Sequence, residues 1–367
     1  MTLISDSTPK YFFPVIDSIT AFFWVLIIVM LLAALYIQSR KNNNDKLQND
    51  IREFFIPLIG IVIYFEGGDQ NELYEIPVDE IYLNALQNDQ YKDWFLQELV
   101  EAEASLKGES AQNIRLLYEQ LELHKISFSK LKSRKWYTKA KGIQELYLMR
   151  NKMYLSQILE LTYHPNEYVR SEAQIGMVSL EGFKGLIFLD ELVLPISTWN
   201  QIRLLNHLSD IPYQDFLNIE HWLGSSNESV IIFALRLIEA YHLFNYLEEV
   251  TSILSHRSIE VKLAALQSLQ QVYDERTELK IVDYYIHFSQ LSLKLKALET
   301  LGVIGADKSL NLLREEVKSN DADIQLAAAR AIAVSSENGL QVLKSIFEVD
   351  ESLNFEIIEH LKYELEA

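Results

Sequence analysis

The side chains able to do chemistry are scattered along this chain and form no reaction motif. There are eight histidines and no cysteine. None of the histidines is followed by Glu, and there is no His-Glu-x-x-His, no Gly-rich phosphate loop and no Gly-x-Ser-x-Gly elbow. His207 and His221 lie fourteen residues apart (221 − 207) on two predicted helices, a spacing read as core or surface and not as a metal pair. Without cysteine there are no disulfides, zinc–thiolate sites or iron–sulfur sites of the usual kind. The sequence offers no catalytic residue, no cofactor and no metal ligand, so the expectation is that the chain is not an enzyme.

One stretch does stand out chemically. In Lys130–Lys141 (KLKSRKWYTKAK), Lys130, Lys132, Arg134, Lys135, Lys139 and Lys141 make six of twelve residues basic, with no acid among them. The whole chain has 52 Asp plus Glu against 33 Lys plus Arg, a net charge of −19. A basic helix attracts anionic headgroups at about 1 kcal/mol per residue near the surface. These six are therefore candidate binding residues for a lipid leaflet or an acidic partner. The alternative is that they pair with the acidic segment Glu53–Glu122. The acidity of the whole argues against nucleic acid as a partner, since that footprint is basic.

The elements that must position this stretch begin at the N-terminus. Residues 18–39 carry no charge, and Ala21–Ile37 is almost wholly apolar. About 20 such residues cross a hydrocarbon core as a helix. Arg40, Lys41, Lys46 and Arg52 follow the span, while Asp6 and Asp17 offset Lys10 before it. The positive-inside rule then leaves residues 1–17 outside and puts the remainder in the cytoplasm. A cleaved signal peptide fits less well, because acids precede the core and the core is too long.

Residues 40–52 read as a juxtamembrane linker or a continuation of the span helix. Phe54–Phe65 is too short to span, and Pro57 and Gly60 interrupt it; it is a core segment or one lying against the bilayer. Residues 53–128 read as an acidic helical domain, with fifteen acids against four Lys or Arg between Glu53 and Phe128. Helices are expected at Asp79–Leu86, Tyr91–Leu106 and Ala111–Leu123, with Lys107-Gly108 as a cap signal. Twelve glycines and seven prolines are few for 367 residues, which favours helices throughout.

From residue 129 to 367 the sequence repeats itself, which decides the fold. An apolar residue with a second position four residues later recurs at Trp136/Ala140, Val169/Ala173, Trp199/Arg203, Val230/Ala234, Val261/Ala265, Leu293/Ala297 and Ile324/Ala328. The steps are 33, 30, 31, 31, 32 and 31 by subtraction. An apolar residue eight further on is present in five units: Met177, Ile238, Leu269, Leu301 and Ile332. Turns are expected at His164-Pro165-Asn166, Gly224–Asn227, Ser319–Asp321 and Val349–Glu351, and a polar-faced cap at Leu353–Leu365. The third unit departs: Arg203 replaces the small residue, and Pro195 and Pro212 bracket a helix expected to be bent or displaced.

Val169–Ala173, Val261–Ala265 and Leu293–Leu298 resemble first helices of HEAT repeats, in the short form of about 31 residues found in bacteria. The resemblance implies an all-α class: a right-handed solenoid of six or seven hairpins that binds other macromolecules, with no chemistry of its own. Hydroxylases of this build use His-Glu dipeptides, which are absent here, and nothing favours the chromophore of bilin-handling relatives. The anchor, the divergent middle domain and Ser133-Arg134-Lys135-Trp136 are together similar to anchored bacterial HEAT-repeat proteins encoded near cell-envelope polysaccharide glycosyltransferases. That likeness implies a scaffold or adaptor on the inner (cytoplasmic) membrane, with a membrane glycosyltransferase or another envelope enzyme as its protein partner. A HEAT-like lyase or hydroxylase is the alternative. Glu248, Lys280, Asp283, Arg314 and Lys318, on second helices, are the first residues to test for partner binding.

Overall fold

The computed structural model describes residues 12–66, 75–209, 211, 218–349 and 356–366, and every regular element among them is helical. The all-α expectation holds for those residues. The chain divides into two compact units, Met1–Ser129 and Lys130–Ala367.

The first unit is built on α1, which runs unbroken from Phe12 to Ile63. It carries one stretch long and apolar enough to cross a membrane, and Phe22, Trp24, Leu31 and Ile37 all stand exposed on it. Residues 40–52 are helical, so no loop separates that stretch from the C-terminal part of α1. There the apolar residues fall on one face: Ile51, Phe55, Leu58 and Val62 are buried at the four- and three-residue spacing of a helix. Phe54–Phe65 is thus a core segment. Pro57 is tolerated on the exposed side, where its missing N–H costs least.

Three helices come next, α2 (Glu80–Ala85), α3 (Asp89–Ser105) and α4 (Glu109–Gln120). The buried face of α1 packs on α3 and α4, with the Phe55 and Phe95 rings 4.6 Å apart. Fully burying each such ring contributes about 1.5–3 kcal/mol. The last carbonyls of α1 have no intrahelical donors, and α4 supplies them. Asn113 Nδ2 donates to the Val62 and Phe65 carbonyls at 3.1 and 2.8 Å, and Ser110 Oγ donates to Ile63 at 2.9 Å. Gly108, at φ +65°, does not close α3 but opens α4. A further helix, α5 (His124–Leu131), crosses the boundary between the units.

The second unit holds, among the described residues, seven helical hairpins and a closing helix. They are α6 (Trp136–Leu148) with α7 (Leu155–Leu161); α8 (Glu167–Glu181) with a 3-10 segment at Gly182–Glu191; and α9 (Thr198–Leu208) with α10 (Ile219–Leu223). Next come α11 (Glu228–Tyr241) with α12 (Leu247–Ser252), α13 (Ile259–Leu269) with α14 (Thr277–Tyr285), and α15 (Leu291–Ile304) with α16 (Leu310–Glu316). Last are α17 (Ala322–Val334) with α18 (Gly339–Val349), and the cap α19 (Glu356–Glu366). Each hairpin buries its apolar face against its neighbours, as a solenoid requires.

The repeat register differs from the one the sequence suggests at two units. Val169, Val230, Val261 and Leu293 are wholly buried, but Trp136 and Trp199 are 46% and 70% exposed. The residues that sit with Val169, third in their helices, are Thr138 and Asn200. The register is therefore 138, 169, 200, 230, 261, 293 and 324, with steps of 31, 31, 30, 31, 32 and 31 by subtraction. The partner four residues on is Gly142 in the first unit and Leu204 in the third, both buried. The residue eight further on is now buried and apolar in all seven: Leu146, Met177, Leu208, Ile238, Leu269, Leu301 and Ile332. The large aromatics at the helix starts had mimicked core positions.

Turn chemistry agrees with this register. Asn166, Asn227 and Asp321 cap α8, α11 and α17 by accepting backbone N–H groups. Pro212 and most of the Val349–Glu351 turn lie outside the described residues. First helices of neighbouring units pack directly on one another, α9 and α11 excepted, while second helices meet more sparsely. The approach is close at Gly302 on α15, where an added Cβ would fall 2.8 Å from Ala331 Cα on α17.

Candidate functional site

Two adjoining depressions along the first helices form a groove in two parts. One part, of about 740 Å³, runs from Pro195 and Gln201 past Ile232 and Arg236 to Leu263 and Lys296. The second, of about 940 Å³, shares Leu263 and Lys296 and continues past Leu295 and Leu326 to Arg330 and Glu364. Such volumes suit ligand-sized groups. The small residues Ala234, Ala265, Ala297 and Ala328 bring neighbouring helices close from α11 to α17, and the half-buried Leu263 and Leu295 form an apolar floor.

The polar side chains along this face are tied from one repeat to the next. Arg203 donates to Glu172 at 2.8 Å and Arg236 to Gln201 at 2.9 Å. Gln267 donates to Glu239 at 2.9 Å, and Lys296 bridges Gln267 and Glu299 at 2.6 and 2.8 Å. Arg330 reaches Glu364 on the cap at 2.7 Å. Burial draws the Arg236 pKa below its ordinary value, against the charge of Glu239. The lining holds six carboxylates (Glu228, Glu239, Glu260, Glu299, Asp323, Glu364) against three cations (Arg236, Lys296, Arg330). The groove is thus apolar along its floor and acidic in balance.

The six basic residues singled out in the sequence do not share one environment. Lys130 forms an ion pair with Glu145 at 2.5 Å, its side chain 12% exposed and that of Glu145 3%. Lys132, Arg134 and Lys135 are exposed, while Lys139 and Lys141 are half-buried. The charge of Lys139 reaches His164, whose pKa is lowered by burial first and by Lys139 and Arg170 next. Glu248, Lys280 and Asp283 line a separate depression of about 400 Å³ on second helices. There Glu248 pairs with both Lys280 and Arg276.

The two histidines paired by spacing in the sequence have separate partners. His207 meets Ser179 Oγ at 3.2 Å, and His221 meets the Asp190 carbonyl at 3.3 Å. Among the described residues no cluster of three or more metal-ligating side chains occurs. Sequence reasoning missed the groove on the first helices. It also missed the exposed row Trp136, Tyr137, Tyr168 and Trp199, which the regular spacing of the cap residues Asn166, Ser197 and Asn227 would have revealed.

No family model matches the chain, and no curated protein matches it. A solved structure that is similar is the complex of CpcE and CpcF of phycocyanin lyase from Nostoc sp. PCC7120. The identity is 13%, over 78% of this chain and 99% of that one, with a TM-score of 0.26. The second unit is an array of helical hairpins whose equivalent positions recur every 30 to 32 residues. The expectation that the chain is not an enzyme is corrected here. The similar structure is that of a phycocyanin lyase.

Proposed function

We propose that this chain is a membrane-tethered repeat protein whose first-helix groove holds a segment of a partner polypeptide. The carrying observation is the groove itself, in two adjoining parts lined between Pro195 and Glu364, apolar along its floor and acidic in balance. A segment presenting apolar side chains interspersed with Lys or Arg complements it. The span in α1 confines the groove to one membrane, which raises its effective concentration toward partners in that membrane. The basic residues that follow the span put the N-terminus outside and the repeats in the cytoplasm. The partner class favoured by the family resemblance is a membrane glycosyltransferase or another envelope enzyme.

The test is capture of the full chain from gently solubilised membranes, beside the charge-reversed variants Glu260→Lys and Asp323→Lys. Loss of one partner in both variants, with unchanged thermal melting, supports the reading. Equal recovery from all three proteins overturns it. The second reading, a HEAT-like lyase, has a different signature. A visible chromophore co-purifying with the chain, and lost in the same groove variants, would favour it.

A further inference from the structure

Four aromatic side chains in the first three repeats belong to no core. Trp136 and Tyr137 open α6, Tyr168 is the second residue of α8 and Trp199 the second of α9. They are 46%, 54%, 67% and 70% exposed. Tyr137, Tyr168 and Trp199 hold the same place in successive repeats, 31 residues apart by subtraction. The next four repeats place Ser229, Glu260, Ser292 and Asp323 there, so the row stops after the third.

Three of the rings are ordered against one another. Trp136 and Tyr168 stack across the repeat boundary with centroids 5.1 Å apart and planes 26° from parallel. Tyr137 meets Trp136 edge-on at 5.8 Å. Arg134 and Lys135 stand exposed immediately before this row, in a chain whose net charge is −19. A large exposed aromatic patch on a protein surface marks an interaction site. Trp and Tyr combine an apolar body with a polar edge, which suits the headgroup zone of a bilayer. Local cations beside them complement lipid phosphates.

We propose that this aromatic and basic row seats the first three repeats on an anionic lipid leaflet, with the rings in the headgroup zone and Arg134 and Lys135 against lipid phosphates. The proposal rests on the reading of α1 as a membrane span, which keeps a leaflet within reach of the row.

The chain has no cysteine, so Trp199→Cys and Ser345→Cys each accept a single fluorophore in the full protein. Each is reconstituted in phosphatidylglycerol-containing bilayers and in pure phosphatidylcholine, with a headgroup-spin-labelled lipid as quencher. The expected result is strong quenching at position 199 in the anionic bilayer and little at 345. Arg134→Gln and Lys135→Gln should each weaken docking about fivefold, the equivalent of about 1 kcal/mol per charge. Quenching at 199 that is no greater than at 345, or is indifferent to lipid charge and to both variants, overturns the proposal and leaves the row to a protein partner. Resistance to alkaline carbonate reports insertion of α1 separately. If carbonate extracts the chain, the span fails, and flotation with the same anionic vesicles decides the row: flotation lost in both variants supports it, and no flotation overturns it.

Discussion

Lys130 on α5 and Glu145 on α6 form an ion pair, with little of either side chain reaching solvent. The pair takes one basic residue out of a stretch that looks uniformly solvent-facing in sequence. Removing one partner strands a buried charge, whereas replacing both with apolar groups does not. Lys130→Ala should therefore lower the stability of the second unit by about 3 kcal/mol, while the double variant Lys130→Met/Glu145→Leu should stay near wild type. Denaturant unfolding of the three proteins checks this.

Glu278 on α14 fastens the start of the next second helix. Its Oε1 accepts from Lys308 N at 2.8 Å, Ser309 N at 2.6 Å and Ser309 Oγ at 2.8 Å. A carboxylate at a helix N-terminus also meets the positive end of the helix dipole. Glu278→Ala should cost about 2–3 kcal/mol, and Glu278→Gln, which keeps the acceptor oxygen, less. Thermal melting and hydrogen exchange at residues 308–313 read the difference.

Gly302 is fixed by contact and not by backbone conformation. The atom that an added Cβ would meet is the Ala331 Cα, which cannot swing aside as a flexible side chain would. Gly302→Ala should push α15 from α17 and destabilise by about 1–3 kcal/mol. The same substitution at Gly60, where no atom lies within 4 Å, should be neutral or mildly stabilising.

Much of this architecture is written in periodicity. Ala173, Ala234, Ala265, Ala297 and Ala328 are all fully buried, because small size at a helix contact is a local property that sequence displays. The first and third units misled for a physical reason. Trp136 and Trp199 are apolar enough to pass for core, and only the position of the cap before each shows that they start their helices facing outward. Asn200 hid the true register, since a polar side chain at a core position looks wrong until its partners are known. It donates to Gln174 at 2.6 Å and accepts from Ser171 at 2.5 Å. The groove was illegible because its walls come from five first helices and a cap spread over more than 150 residues (364 − 195).

His164 gives the array a pH dependence. Its Nδ1 accepts the Asn166 N–H at 3.1 Å in the turn that leads into α8. Protonation removes that acceptor, and burial together with Lys139 and Arg170 already holds the pKa below its ordinary value. The folded form thus binds the proton less well than the unfolded chain does. The stability from this group is whole above the unfolded pKa of about 6.5 and is lost as pH falls below it toward the lowered folded value. Melting temperature should drop as pH falls below about 6.5, and His164→Asn, which keeps an acceptor without the titration, should flatten the drop. An unchanged slope in that variant would assign the pH dependence to other groups.

The groove is tested most directly by photo-crosslinking in intact membranes. A photoreactive phenylalanine analogue is placed at Leu295, on the groove floor, or at Leu279, 49% exposed on a second helix. A discrete adduct with one partner from position 295, absent from 279 and lost with Asp323→Lys, is the expected result. Adducts of equal strength from both positions, or none from 295 in membranes where the chain is abundant, would contradict a partner-binding groove on the first helices.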